Sequence, residues 1–476
     1  MRTIAVLGGG IGGLAASYYL CRSPQVTKVV LLESSSRLGG WLWSTRRPDG
    51  AVFEHGPRGI RPAGAVGHNT LNMVEDLGLG GEIVPVAYSH DASKSRYLYV
   101  NKQLHKMPSG IIGLLRTMPP FSRPLIFSVA MEMFVKKRHQ QDESVHAFVS
   151  RRLGKEIADI AVDSVCRGVF AGDCRKLSVR SCFPALYNAE QHRGSLTLGM
   201  LLGSGTSKVV PPGSLSRRSV KESWAQWSLR RGLESLPESI GDFLQHSSKV
   251  LVHLDSPVTH LSPAATGWTI HMEDGMISAD HIVSALPAKV LSGVLPSSCL
   301  PLIQQLQDIS SVTVAVVNLQ YEGCVLPVRG FGHLLPSSED EGVLGVVYDS
   351  VPFPQHNRPA GPTTRLTVMM GGAWFQEVFG PPAAVSEEQL LLRATEAVSQ
   401  HLGVTSAPSW THVALQQECI PQYHDGHHSR VEFMRQFIKK KKLPLSLIGS
   451  SYEGVSVNDV IFNARLATEE LLGTTL

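Results

Sequence analysis

A run of glycines near the start of the chain restricts the fold more than any other feature. Residues Thr3 to Leu7 are mostly apolar and lead directly into Gly8-Gly9-Gly10-Ile11-Gly12-Gly13 and the segment LAASYYL. This order predicts a strand, a tight glycine turn and a helix. A second apolar run, KVVLLE, ends on Glu33, 20 residues beyond Gly13. Strand, helix and strand in succession predict a parallel βαβ unit, because parallel neighbours need a crossover connection. The turn satisfies G-x-G-x-x-G. Its glycines let a pyrophosphate approach the backbone, where NH groups at the helix N-terminus meet it. The Glu33 carboxylate is spaced to accept hydrogen bonds from ribose hydroxyls, so a dinucleotide is the expected ligand.

A chain of 476 residues is about three times a common domain size, which predicts two or three domains. With 43% hydrophobic and 18% charged residues, it is neither disordered nor a coiled coil. A formal net charge of +4 is too small to point to nucleic acid. Seven cysteines without a C-x-x-C pair read as unpaired thiols in a reducing compartment and offer no zinc site. His424, His427 and His428 read as part of a solvated loop, so no metal site is expected. No apolar run reaches the roughly 18 residues of a spanning helix. The first residues, MRTIAVLGGG, lack the regions of a signal peptide, so any organelle targeting is expected to be internal.

The character of the chain changes between its ends. SRYLYVNKQLHKMP (95–108) predicts a hairpin turning at Asn101-Lys102, and residues 111–200 are helix-rich. The Ser/Gly/Pro-rich stretch 203–223 reads as a mobile connection, and strands dominate from about residue 249. The C-terminal LPLSLIGSSYEGVSVND again reads as strand, glycine turn and helix. Nucleotide-type elements thus stand at both ends, and the remaining parts are expected to be inserted between them. Pro124 to Val135 is mostly apolar and is followed by Lys136, Lys137 and Arg138, a composition suited to an interfacial helix. Lys439 to Lys442 read as an exposed helix end.

Directly after Glu33 comes Ser34-Ser35-Ser36-Arg37-Leu38-Gly39-Gly40-Trp41. This resembles the R-x-G-G segment of FAD-dependent oxidoreductases of the monoamine oxidase superfamily, with Trp41 where many members have Arg. LIGSSYEG resembles the place where that superfamily closes over the flavin, although Ser450 stands where an acid is common. No cysteine in this segment could form a thioether, so FAD is expected to bind noncovalently. LRRGLESLPESI (229–240) resembles a glycine-doublet element with Arg231 in place of its first glycine, and no flavin contact is assigned to it.

Read together, GPRGIRPAG (56–64), RYLYVNKQLHKMPSG (96–110), CRGVFAGD (166–173), GFGHLLPSSED (330–340), VVYDS (346–350) and SYEGVSVND (451–459) resemble the oxygen-dependent, mitochondrial-type protoporphyrinogen oxidases along essentially the whole chain. The resemblance implies an α/β fold, α+β overall. It has a split Rossmann-like FAD-binding domain (1–90, 224–295 and 440–476), an inserted mixed-sheet substrate domain (91–110 and 296–439) and an inserted helical membrane-binding domain (111–223). It implies oxidation of protoporphyrinogen IX to protoporphyrin IX, with molecular oxygen as acceptor and hydrogen peroxide as by-product, in the penultimate step of haem synthesis. FAD would be held by Gly8, Gly9, Gly10, Ile11, Gly12, Gly13, Glu33, Ser34, Arg37 and Trp41. Further contacts fall on Gly56, Pro57, Arg58, Gly59, Val258, Gly449, Val455, Ser456 and Val457. Phe331 and Leu334 would sandwich pyrrole rings, Met369 would line the far wall and Arg96 would hold a propionate. No side chain is assigned a catalytic role, since flavin N5 carries the chemistry. The resemblance also implies a homodimer on the inner mitochondrial membrane, facing the intermembrane space, with possible hand-off to ferrochelatase. Two rivals remain: another flavin amine oxidase or desaturase-like enzyme, and a non-enzymatic lipid or protein carrier of related fold.

Overall fold

Five short strands pair in parallel in the order Leu445–Leu447, His281–Ser284, Arg2–Leu7, Val26–Leu32 and Val250–His253. In this computed structural model, which describes residues 2–108, 110–138, 141–202 and 210–475, that sheet draws strands from the beginning, middle and end of the chain. Ile4 to Leu7 and Val29 to Leu32 are buried without a break, as strands covered on both faces require. The helix Ile11–Cys21 is apolar on all sides and almost entirely buried. The helices Ser235–Gln245 and Val457–Leu472 pack against it.

A second, seven-stranded sheet runs Trp410–Pro421, Ser311–Glu322, Thr363–Gly372, Val343–Val347, Gly332–Leu334, Tyr97–Val100 and Gln103–Lys106. All its pairings are antiparallel except that of Gly332–Leu334 with Tyr97–Val100. The expected hairpin is there, with Asn101 and Lys102 both at positive φ (52° and 59°), as a two-residue turn of this hand requires. One face of the sheet packs Ala315, Val317 and Leu319 into a core with the helix Glu387–Leu402. A buried His333 bridges the two, its ring 2.8 Å from Tyr348 Oη and 3.0 Å from His401 Nδ1.

Among the described residues the segment 110–221 contains helices and no strand, from Gly110–Leu115 to Ser214–Lys221. The helix Leu125–Glu132 exposes Phe127 and Met131 but ends on a fully buried acid. Glu132 accepts from Arg152 Nη1 (2.8 Å), Ser195 Oγ (2.7 Å) and Leu196 N (2.8 Å). Burial alone would raise this carboxyl, but these donors, with Thr197 N, outweigh it and hold it below the usual glutamate range.

Two sequence readings change. Of the stretch 203–223, residues 203–209 lie outside those described, and Ser214–Lys221 is a helix with Leu215 buried rather than a loose connection. His427 is not solvated: it opens the helix His427–Lys441 with its ring buried, 2.9 Å from the Tyr452 carbonyl.

Glu132→Ala should destabilise the helical segment by about 3–5 kcal/mol, because it leaves Arg152 buried with one carboxylate fewer. Chemical unfolding, with limited proteolysis around residues 124–138, checks this, and an unchanged midpoint would contradict it.

Candidate active site

The carboxyl ends of the parallel strands bring four loops together. Leu7 leads into Gly8, Leu32 into Glu33, Ser284 into Ala285 and Leu447 into Ile448 and Gly449. Backbone hydrogen bonds lock these exits, with Gly8 N donating to Leu32 O (2.8 Å), Ala285 N to Leu7 O (2.8 Å) and Ile448 N to Ser284 O (2.9 Å).

The glycines do different jobs. A Cβ on Gly13 would lie 1.8 Å from the Gly8 carbonyl oxygen, so this glycine permits close packing of helix on turn. A Cβ on Gly9 would meet Leu38 at 2.7 Å, and one on Gly12 would meet Val460 at 3.1 Å. Gly10 differs, because its φ of −68° suits any residue and the nearest atom to an added Cβ is 4.0 Å away. Nothing within the chain demands glycine there. This open cradle lies at the N-terminus of Ile11–Cys21, whose first turn carries no acid and no side-chain cap.

Glu33 stands beside this cradle. Its carboxylate accepts from Gly9 N at 2.6 Å and from Ser35 N at 2.8 Å, tying both loops together, and Ser34 Oγ lies 3.4 Å away. Arg37 folds back on its own loop, with Nη1 3.2 Å from Leu38 O and 3.7 Å from Glu234, so it shapes the turn carrying Gly39 and Gly40. Trp41 is exposed, and its carbonyl would lie 2.1 Å from a Cβ on Gly56, so the two expected flavin-contacting segments touch. Pro57 is exposed and Gly59 borders Gln226 and Phe353. Val258 begins a strand just beyond Ser256, whose NH binds the Glu33 carbonyl. Val455, Ser456 and Val457 lie at the start of Val457–Leu472, where Ser456 Oγ caps the helix by accepting from Asp459 N at 3.2 Å.

The face of the seven-stranded sheet that turns toward these loops has two halves. Register places Ala414, Val316, Met369, Gly345 and Leu334 in one row across five strands. Val316, Ala414 and Met369 pack together with Ala171, Leu344 and Trp43. A Cβ on Gly345 would come within 2.8 Å of Leu334, and one on Gly168 within 2.7 Å, so both glycines let the Leu334 side chain pack closely against their backbone. Leu334 and Met369 thus stand in one row, two strands apart, with Gly345 between them. Phe331 packs instead with the core on the sheet's other face, although its NH binds Ser95 O at 3.0 Å beside Arg96. Arg96 is exposed and, among the described residues, has no ion-pair or hydrogen-bond partner for its guanidinium.

The next row, His412, Asn318 and Thr367, is polar and reaches the strand Val52–Glu54, which pairs with Ser44–Arg46 in a separate short hairpin. Asn318 Nδ2 donates to the Glu54 carbonyl (3.1 Å) and to Thr367 Oγ1 (2.9 Å), and Thr367 Oγ1 donates to Asp349 (2.6 Å). Asp349 pairs with Arg58 at 2.9 Å. Arg58 is buried, whereas a turn in sequence alone reads as a surface charge. Burial pushes Glu54 up to about 7, against the Leu233 NH and Ser44 hydroxyl that bind it. It pushes His55 down to about 3, with His412 beside it adding to the effect. Asp349, Asn318, Gly168 and Gly345 were not singled out from sequence, because their roles depend on register across strands far apart in the chain.

The open cradle at Gly10 fits a dinucleotide such as FAD. Gly10→Val should leave the fold intact but yield colourless protein. Gly13→Ala, which forces a side chain against Gly8, should destabilise the fold itself. Flavin absorbance and thermal unfolding of both variants separate the two effects. Bound flavin in Gly10→Val would remove the cradle from the site.

Residues 11–472 match the flavin containing amine oxidoreductase family. The chain is 52% identical to human protoporphyrinogen oxidase over 99% of both chains. It is 32% identical to the protoporphyrinogen oxidase of Schizosaccharomyces pombe over 98% of both. A crystal structure from Exiguobacterium sp. 255-15 superposes with a TM-score of 0.79 at 22% identity, covering 99% of this chain and 98% of that one, which shows the shared fold. With glycine turn, acid and closing loop all in place at one sheet edge, the chain belongs to the flavin-containing amine oxidoreductases and, among them, to the protoporphyrinogen oxidases.

Proposed function

We propose that this protein oxidises protoporphyrinogen IX to protoporphyrin IX, with molecular oxygen as final acceptor and hydrogen peroxide as by-product, as the penultimate step of haem synthesis. The reading is supported by the apolar row of Leu334, Met369 and Val316 on one face of the seven-stranded sheet, in a chain that carries a flavin-type nucleotide fold. Bound FAD supplies the oxidising equivalents by accepting hydride and passing electrons to oxygen. The chain's part is binding, orientation and exclusion of water. Gly10 and the helix N-terminus receive the pyrophosphate, Glu33 the ribose, and the loops of Trp41, Gly56–Gly59 and Gly449–Val457 surround the ring. Leu334 and Met369 offer a flat, apolar wall to a macrocycle, and Arg96 takes a propionate by charge-assisted hydrogen bonds.

The same reading divides the chain into an FAD domain (1–90, 224–295 and 440–476), a substrate domain (91–110 and 296–439) and a helical insert (111–223). The insert rests on the membrane. Phe127, Met131 and Phe134 are 60, 63 and 80% exposed, and Leu115 and Met133 lie bare in the same segment, followed by Lys136, Lys137 and Arg138. Among the described residues no helix is long and apolar enough to cross a membrane, so attachment is peripheral. The assigned place is the intermembrane-space face of the inner mitochondrial membrane, as a homodimer able to pass product to ferrochelatase.

Anaerobic mixing with protoporphyrinogen IX should bleach the flavin, and admitting oxygen should restore it with porphyrin fluorescence; a flavin that stays oxidised refutes the assignment. Arg96→Ala should raise KM by a factor of about 10 to 150 with kcat unchanged, since the propionate lies remote from the reacting carbon. Replacing Phe127, Met131 and Phe134 together by Ser should abolish co-sedimentation with anionic vesicles without loss of flavin. Leu125 and Ile126 are half-buried and less suited to this test. Unchanged sedimentation would remove the segment from the membrane contact.

A further inference from the structure

The loop that follows the strand Leu445–Leu447 is held in part from outside the nucleotide fold. It runs past the glycine cradle, with Gly449 Cα 3.6 Å from where a Cβ on Gly12 would stand. At its base Ile448 N donates to Ser284 O (2.9 Å), and Ser451 Oγ accepts from Ala288 N (3.1 Å). Two carbonyls of the loop take their partners from elsewhere. Tyr423 Oη donates to Ser450 O, and His427 Nε2 donates to Tyr452 O at 2.9 Å. The two donor rings are buried and stacked, 4.2 Å apart and 20° from parallel. Burial holds His427 down to about 4 and raises Tyr423 well above its ordinary range. Near pH 7 the imidazole is therefore neutral, with its one proton facing the carbonyl, and the phenol keeps its own. The amides of Ser450 and Ser451 have no acceptor among the described residues and are free for a ligand.

Tyr423 is also where the helical segment meets the seven-stranded sheet. It lies two residues beyond the strand Trp410–Pro421, and its own carbonyl accepts from Ser178 N at 2.8 Å. Ser178 Oγ donates to Asp142 at 2.8 Å, and Asp142 also accepts from Gly426 N at 3.2 Å, directly before His427. Val145 N donates to Leu177 O at 2.7 Å, so the helix Val145–Leu153 is tied to the same point. One tyrosine thus joins three parts of the chain through three groups. Its carbonyl holds the helical segment, its ring lies on His427, and its hydroxyl holds the loop beside the cradle. The hydroxyl reaches Ser450 only while the backbone beneath it stays docked, and a packed, hydrogen-bonded chain of this kind can carry coupling between sites.

We propose that Tyr423 and His427 form a latch on the flavin site: they are positioning residues that hold the loop 449–452 from outside the nucleotide fold, so that FAD affinity depends on the docking of the helical segment against Tyr423. The proposal rests on FAD binding at the glycine cradle and is independent of which substrate is oxidised. By linkage the dependence runs both ways. If docking tightens FAD, bound FAD tightens docking by the same factor. A tyrosine that only fills the core would support the fold equally with and without FAD.

The test uses the full chain, loaded with FAD and depleted of it. Flavin fluorescence released on dilution gives the FAD dissociation constant, and hydrogen exchange at the Val145 and Ser178 amides reads docking. In wild type, FAD should slow exchange at both amides. Tyr423→Phe keeps the ring stack and removes only the hydroxyl. It should weaken FAD binding about tenfold, because Ser450 O loses its donor, and should reduce the FAD-dependent slowing by the same factor. His427→Leu should act in the same direction, and His427→Gln, which returns an N–H donor toward Tyr452 O, should recover part of the loss. Unchanged FAD affinity in Tyr423→Phe would overturn the latch. So would exchange that quickens equally with and without FAD, which would leave Tyr423 a structural residue only. Weaker FAD binding with the full FAD-dependent slowing retained would confine the tyrosine to the cofactor loop and overturn the coupling. Wild type that binds no FAD would instead refute the cradle itself.

Discussion

A buried polar seam fastens the seven-stranded sheet to the short hairpin of Ser44–Arg46 and Val52–Glu54 and to the turn that carries Arg58. Asn318, Thr367 and Asp349 on the seven-stranded sheet reach Glu54 and Arg58 on the glycine-loop side. Arg365 adds a hydrogen bond of 2.8 Å to the Val52 carbonyl. Such groups are expensive to bury, and their mutual satisfaction is what makes only one docking geometry acceptable. An apolar interface of the same area would tolerate sliding, and a shift of one residue would move Met369 and Leu334 out of register with the flavin loops. Positional accuracy of this kind is what flavin chemistry asks of a protein.

Beside the seam the same sheet face becomes apolar within one row. Strands alternate their side chains, so a row of Val316, Met369 and Ala414 can stand directly next to a row of Asn318, Thr367 and His412 on the same face. One half bonds the sheet to the Val52–Glu54 strand, and the other presents an apolar wall. Gly345 and Gly168 leave room for the Leu334 side chain to pack against their backbone. The hydrophobic wall and the rigid joint are thus made by the same strands.

The helical insert resolves a different conflict. A helix that shows Phe127 and Met131 to the outside gains little by packing on its own protein. It is retained by its last residue, Glu132, buried with Arg152 and capping the start of Leu196–Leu202. A charge at the inner end holds the helix while leaving its apolar side free.

The sequence alone determined the features set by local physics. The strand, glycine turn and helix at Gly8–Gly13, the acid at Glu33, the hairpin turn at Asn101-Lys102 and the apolar run ahead of three basic residues all follow from neighbouring residues. Turn conformation, helix ends and periodicity are short-range properties. Tertiary structure alone decided which residues from distant segments meet. It buried Arg58 against Asp349, took His427 out of solvent and separated Phe331 from the wall that holds Met369. The reason is physical: burial and partner choice depend on sheet register and on which sheet face meets which loop. Those are set by pairing between strands more than a hundred residues apart, such as Arg2–Leu7 with His281–Ser284, and no local pattern encodes them.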